Sequence, residues 1–308
     1  MKLYQFWPIR NNEDVEHIKD VLNGDIHLTD WRELNDILEG VYTISEDADQ
    51  SLIPKNYDFK KNFMVACFSK QTMEDNESSM LRNHLMWVHY ASKHTGVAIE
   101  LDINDSLKVD YGAERLKDVT YDGLNEVQSK SIRELQDDDS TEDNKLTVQL
   151  LTQKLPQWKY EQEMRLLVDV KHVDKRFVKC RNGHKFFHDT DRITICHMYL
   201  GSRFLRGNVS PCILANLLAL CSEKMISVSN VADEHRDIFM TFSDYERLDE
   251  LERKMGKREL PSCQNCTCSL ADAVRNLPKR STAHEDRDNW AEIMRKNISN
   301  CEAFKKKP

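Results

Sequence analysis

The chain has 308 residues, 40% of them hydrophobic and 31% charged, with a formal net charge of -8. That length holds one large domain or two modest ones with a proper core. The acidic balance excludes broad phosphate neutralisation as the main binding mode, while leaving room for a local basic groove for nucleic acid.

Leu3-Tyr4-Gln5-Phe6 reads as a first strand, ended by Pro8 and the polar Asn11-Asn12. The start is too short and too quickly charged for a signal peptide, and no apolar run approaches a membrane span. A cytoplasmic protein without a membrane partner is the expectation. The nine cysteines, an odd number, predict reduced thiols in place of a disulfide framework. Val15, Ile18, Val21 and Leu22 have helical spacing within Glu13 to Leu22, and Gly24 stands where that helix should stop. Ile26 to Thr29 predicts a short strand, Asn35 to Gly40 a polar turn, and Val41 to Ile44 another strand.

Phe63 to Ser69 is a dense buried-strand signal ending in a hydroxyl, and Met86 to Ala91 predicts a helix with its aromatic and apolar side chains inward. Thr95-Gly96 breaks that helix before a strand from Val97 to Asp102. Val109 with Tyr111, and Val119 with Tyr121, suggest further short strands. Leu124 to Leu135 reads as a polar helix, and Asp137 to Asp143 as an acidic, solvated loop. Leu146 to Leu155 predicts a helix ended by Pro156, and Leu166 to Val170 a strand entering the core.

Val178 to Phe187 predicts a hairpin turning at Asn182-Gly183. Ile193 to Leu200 is a strand, Ser210 to Leu220 an apolar helix, Ile226 to Val231 a strand and Asp244 to Met255 a charged helix. The predicted fold class is α+β, a mixed, split β-sheet core with flanking helices. Residues 1–256 form the expected catalytic-type domain, and 257–308 a polar, cysteine-containing tail.

Trp158-Lys159-Tyr160-Glu161-Gln162-Glu163-Met164-Arg165 is the densest run of candidate chemistry. A strand period of two would put Glu161, Glu163 and Arg165 on one face. Two carboxylates and a guanidinium there are costly to bury unless they serve each other or a ligand. The plain alternative is a rim ion pair on a strand with a polar face. Similar plain readings stand beside the other candidates. Trp87 and Tyr90 suit a core, Asn35 and Asp36 an Asx turn, and Ser69 a cap. His89 and His94, five apart, do not share a helical face as metal ligands would.

In the tail, Cys263-Gln264-Asn265-Cys266-Thr267-Cys268 offers three thiolates, with Cys301 or His284 as a fourth ligand. Only one half-site of a structural zinc pattern is present, so free cysteines are the expectation. Lys305-Lys306-Lys307 reads as a solvated end able to touch nucleic acid electrostatically.

Four patches, Leu34-Asn35-Asp36 with Glu39, Cys67-Phe68-Ser69, Met86 to Tyr90 with Gly96, and Trp158 to Arg165, resemble together an uncharacterised bacterial family, a domain of unknown function. Its motifs read N-D-P-F-E, C-F-S, M-W-x-H-Y and W-x-Y-E-x-E-x-R, and the likeness covers about the first two hundred and thirty positions. Here Ile37 and Leu38 replace the proline and aromatic of the first motif. A more distant likeness is to the mono-ADP-ribosyltransferases, whose plan has a tyrosine-bearing first strand, a strand ending in a hydroxyl and a late Glu-x-Glu strand.

That likeness implies NAD as substrate and Glu163 as the carboxylate stabilising an oxocarbenium-like transition state. Glu161 would orient or deprotonate the acceptor, and Arg165 would hold the carboxylates or a phosphate. Ser69 would fix Glu163. Tyr4, Phe6, Trp87, His89, Tyr90, Asn35 and Asp36 would line the NAD site, by stacking or hydrogen bonding. It further implies a toxin-like effector of antiphage defence acting on a nucleic acid or protein, with a neutralising antitoxin or sensor protein as partner. The alternatives are a metal-dependent nuclease using Asp36, Glu39, Glu161 and Glu163, and a non-enzymatic sensor or partner-binding module.

Overall fold

Alternating and capped stretches become regular elements in the computed structural model, which describes residues 1–36, 38, 41, 43–44, 60, 62–71, 80–108, 113–123, 126–127, 143–204, 216–217, 220–221, 223–231 and 239–241. Strand β1 (Lys2–Trp7) leads to helix α1 (Asn12–Leu22), β2 (Asp25–Asp30), the two-residue β3 (Thr43–Ile44) and β4 (Phe63–Lys70). Helix α2 (His84–Tyr90), β5 (Val97–Ile103), β6 (Glu114–Asp118), the two-residue β7 (Glu126–Val127) and helix α3 (Asp143–Leu150) come next. β8 (Glu163–Asp169), β9 (Val178–Arg181), β10 (His184–His188), β11 (Ile193–Leu200), β12 (Ser227–Val231) and β13 (Phe239–Thr241) complete the order. The fold is mixed α/β, with a mixed open sheet and few helices among the described residues. No described helix is long and apolar enough to cross a membrane.

The chain divides into two compact units. The first holds Met1–Tyr4 and the described parts of Gly24–Met80 and Asp102–Thr194; the second holds Gln5–Asn23, Leu81–Leu101 and the described part of Ile195–Pro308.

In the first unit β4 pairs antiparallel with β8 along its length, from Phe63 opposite Asp169 to Ser69 opposite Glu163. Its other edge is shared by β2, through Thr29 opposite Val65, and by the start of β1, through Tyr4 opposite Ser69. β6 covers the far edge of β8, and β2 passes on to β10 and then β9. Paired on both edges, β8 is buried at every residue. That placement explains why Leu166-Leu167-Val168 shows no alternation. Phe63, Val65, Val148, Leu151 and Leu167 form a core cluster, with Trp31, Leu34 and Cys67 packed against it. Burying each such side chain contributes roughly 1.5–3 kcal/mol. The hairpin turns where expected, with Asn182 at φ 52° and Gly183 at φ 83°. Two positive φ values are what a two-residue type I′ turn needs.

In the second unit Asn11 caps α1, its side chain accepting the Asp14 N–H at 2.9 Å. Val15, Ile18, Val21 and Leu22 are the buried face. β5 lies between β1 and β11, and β11 pairs parallel with β12, Tyr199 opposite Ser229. Ser92, Lys93 and His94 all have positive φ and lead into Gly96. A Cβ at Gly96 would sit 2.2 Å from the Trp7 carbonyl oxygen, so only glycine fits there.

Several expectations change. In α2 Met86 and Trp87 are buried, but Leu85 and Val88 are exposed. Two turns of helix can turn only one stripe inward. The strand sought at Val119 and Tyr121 lies upstream, at Glu114–Asp118, where pairing with β8 overrides a charged sequence. Glu126–Val127, expected in a helix, is a strand paired parallel with Thr43–Ile44. Helix α3 starts inside the expected acidic loop, at Asp143, and ends at Leu150, short of Pro156. Positions 216–217 and 220–221 are helical. The pair Val109 and Tyr111, the remainder of 124–142, the Asp244 to Met255 helix and the tail from 257 onward lie outside the described residues.

Candidate functional site

Pro156–Glu161 forms a short 3-10 helix in place of the expected strand start. Proline at its first turn has no N–H to leave unsatisfied. Gln162 ends it in the left-handed region, at φ 46° and ψ 49°, and β8 begins at the next residue. The strand period therefore fails for Glu161, which reaches the cluster from a turn. Glu163 and Arg165 do share a face of β8, as that period predicts.

The charges meet one another. Arg165 Nε donates to Glu163 Oε1 at 2.8 Å and Nη2 donates to Oε2 at 3.1 Å, a fork-to-fork pair. Its Nη1 donates to the Leu151 carbonyl at 2.7 Å. Lys154 Nζ lies 2.7 Å from Glu161 Oε2 and 2.9 Å from Glu163 Oε2, and 5.3 Å from the centre of the Trp158 ring. Arg165 is 0% exposed, Glu163 4% and Lys154 8%. The Glu163 N–H donates to the Tyr121 hydroxyl oxygen at 2.7 Å.

Burial alone would raise the Glu163 carboxyl, but Arg165 and then Lys154 outweigh it and hold the group down at about 2. Burial, and then the Glu163 charge, push the Cys67 thiol well above its ordinary value. The thiol is thus kept protonated and is no nucleophile. Two carboxylates and two basic side chains, matched in formal charge, make a buried cluster, where the plain sequence reading had a rim ion pair. A divalent metal on Glu161 and Glu163 would have to displace Lys154 first, and Glu39 lies outside the described residues.

The remaining predicted residues are divided between the two units. Tyr4, Ser69 and Glu163 are lateral neighbours on β1, β4 and β8. Ser69 is buried, and the Tyr4 hydroxyl donates to Gln71 Oε1 at 2.9 Å. Asp36 makes the Asx turn, its Oδ1 accepting the Leu38 N–H at 3.0 Å; Asn35 precedes it, exposed. Phe6, Trp87, His89 and Tyr90 belong to the second unit. Trp87 is wholly buried, donates its ring N–H to the Leu81 carbonyl at 2.8 Å, stacks on His94 and meets Phe6 edge-on at 5.1 Å. It is a core aromatic with no face left for a nicotinamide. His89 is exposed and Tyr90 half-buried. Cys263, Cys266 and Cys268 lie outside the described residues.

Sequence reasoning missed Lys154, Tyr121 and the Leu151 carbonyl. Lys154 follows a helix whose end was placed too late, so nothing marked it as inward. It also missed Lys60, buried against Trp31 with its ammonium 4.8 Å from the ring centre and its pKa lowered by burial to about 8.

Residues 86–166 match a family described as a protein of unknown function, DUF2971. The DUF2971 span takes in the M-W-x-H-Y and W-x-Y-E-x-E-x-R patches and leaves the Asn35 and Cys67 patches outside. An uncharacterised family was the expectation, and DUF2971 is one. No curated protein and no solved structure matches the chain. DUF2971 carries no named chemistry, so function must be argued from the side chains.

Proposed function

We propose that the protein is a non-enzymatic partner-binding module in which the Glu161–Lys154–Glu163–Arg165 cluster is an internal brace. One observation carries this reading: the candidate carboxylates are already neutralised by buried cations within 2.9 Å. A carboxylate that stabilises an oxocarbenium-like charge must present unspent charge to its substrate. With Arg165 and Lys154 on Glu163, a ligand would feel a compact multipole whose field falls off steeply.

The alignment of Tyr4, Ser69 and Glu163 across three strands favours a second reading, an NAD-dependent ADP-ribosyltransferase. Glu163 is ionised at physiological pH, the state that chemistry needs. Lys154 would have to leave Glu163 when NAD bound, and a nucleic acid or protein would accept the ADP-ribose.

Nicotinamide release from labelled NAD, with and without total nucleic acid, tests the choice. The binding-module reading expects no release above buffer. Release abolished by Glu163→Asp in a protein that still melts cooperatively would overturn it in favour of the transferase.

A further inference from the structure

The segment from Lys171 to His188 inverts the charge balance of the chain. It carries Lys171, Lys175, Arg176, Lys179, Arg181 and Lys185 against the single carboxylate of Asp174, in a protein of net charge -8. Most of it is the β9–β10 hairpin, and β9 closes one end of the strand order. Lys171, Lys175, Arg176, Lys179 and Arg181 are exposed and Lys185 is half-buried.

The neighbouring acids do not balance these cations. Asp25 on β2 is shared by Lys179 at 3.0 Å, Arg181 at 3.3 Å and His188 at 2.7 Å. Lys179 and Arg181 still leave about half of their side chains in solvent, 46% and 48%. Arg176 is paired with Asp174, Lys185 lies close enough to Asp30 to help hold that carboxyl down, and Lys171 and Lys175 have no ion pair among the described residues. The Arg181 guanidinium lies 4.7 Å from the centre of the Phe186 ring, a cation–π contact.

The ordinary use of lysines on an edge strand is to prevent edge-to-edge pairing. One or two inward charges suffice for that. Five cations through the loop before β9 and along β9 exceed it, whereas Lys185, opposite Cys180, lies on the other face of the ribbon from Lys179 and Arg181. Lys179 and Arg181, two apart on β9, stand on the same face about 6.8 Å apart along the strand.

We infer that the β9–β10 hairpin and the loop before it form a nucleic-acid backbone site, with Lys171, Lys175, Lys179 and Arg181 as its phosphate contacts. This deepens the partner-binding reading by naming the class of partner, and rests on that reading. A regular polyanion is favoured over an acidic protein because the exposed side chains of the segment are mostly basic, while its apolar Val173, Phe177 and Val178 are buried or half-buried. No base preference follows from such contacts.

The test is fluorescence anisotropy of the full chain with a labelled duplex DNA and a single-stranded RNA of equal length, over a salt series. Four contacts give a slope of log affinity against log salt of about -3.6 on duplex DNA. The combined variant Lys171→Gln, Lys175→Gln leaves the Asp25 ion pairs intact. It should flatten that slope by about 1.8 and weaken binding about thirtyfold at roughly 0.15 M salt. A second variant, Lys305→Gln, Lys306→Gln, Lys307→Gln, controls for the terminal lysines and should keep the slope. Absence of salt-dependent binding to both probes overturns the inference alone. Binding lost in the terminal variant and kept in the Lys171→Gln, Lys175→Gln variant does the same. Glu163-dependent nicotinamide release would instead overturn the reading beneath it.

Discussion

Glu163→Gln separates a brace from a catalyst. The substitution keeps the volume and removes the charge, leaving Arg165, 0% exposed, with a neutral partner, and Lys154 with Glu161 alone. Removing one member of a buried pair costs about 3–5 kcal/mol, because the other charge stays buried without compensation. For a domain of this size each kcal/mol lowers Tm by about 2–4 °C, so a fall of roughly 6–20 °C is expected. Denaturant unfolding followed by tryptophan fluorescence gives the free energy, and unchanged m-values would show that the unfolded state is the same. Glu163→Gln combined with Arg165→Met should cost less than the sum of the single changes by about 0.5–3 kcal/mol. A Glu163→Gln protein as stable as the parent to within about 1 kcal/mol would refute the brace.

Acid should act through the same carboxylate. Glu163 is held at about 2, below an ordinary 4.5, so its contribution is complete above about pH 4.5 and is lost as pH falls toward 2. The loss amounts to about 3 kcal/mol, and melting curves of the Glu163→Gln protein should be flatter over that window. Cys67, half-buried with its thiol held protonated, should resist brief alkylation at mildly alkaline pH while exposed Cys180 is modified, as read by peptide mass spectrometry; equal labelling would contradict the protonated thiol. Gly96→Ala should destabilise by about 1–3 kcal/mol, since two backbone segments must part to admit the methyl group. An unchanged Tm would show that the Trp7 carbonyl can move aside.

Local chemistry was readable wherever one short stretch decides its own conformation. Asn182-Gly183 specified its turn, Asn11 its cap, and Phe63 to Ser69 and Ile193 to Leu200 their strands within a residue or so. Where partners far along the chain decide, reading failed. Glu114–Asp118 has the composition of a loop and becomes a strand because β8 offers it a ladder. The candidate site was half readable. Glu163 and Arg165 follow from strand period, whereas Lys154 and the turned Glu161 depend on where α3 ends and on the left-handed Gln162. Trp87 looked available to a ligand because no periodicity reveals that Leu81 and His94 occupy its N–H and its face.

Burial of β8 along its whole length has a cost in uniqueness. Leu166, Leu167 and Val168 are apolar toward both sides, so sliding the strand two residues along β4 would still bury oil against oil. Such a slip would carry Glu163 away from Lys154 and Arg165 away from the Leu151 carbonyl, stranding ions in the interior. The charged quartet thus acts as an alignment pin, excluding the misthreaded sheets that greasy residues alone would tolerate.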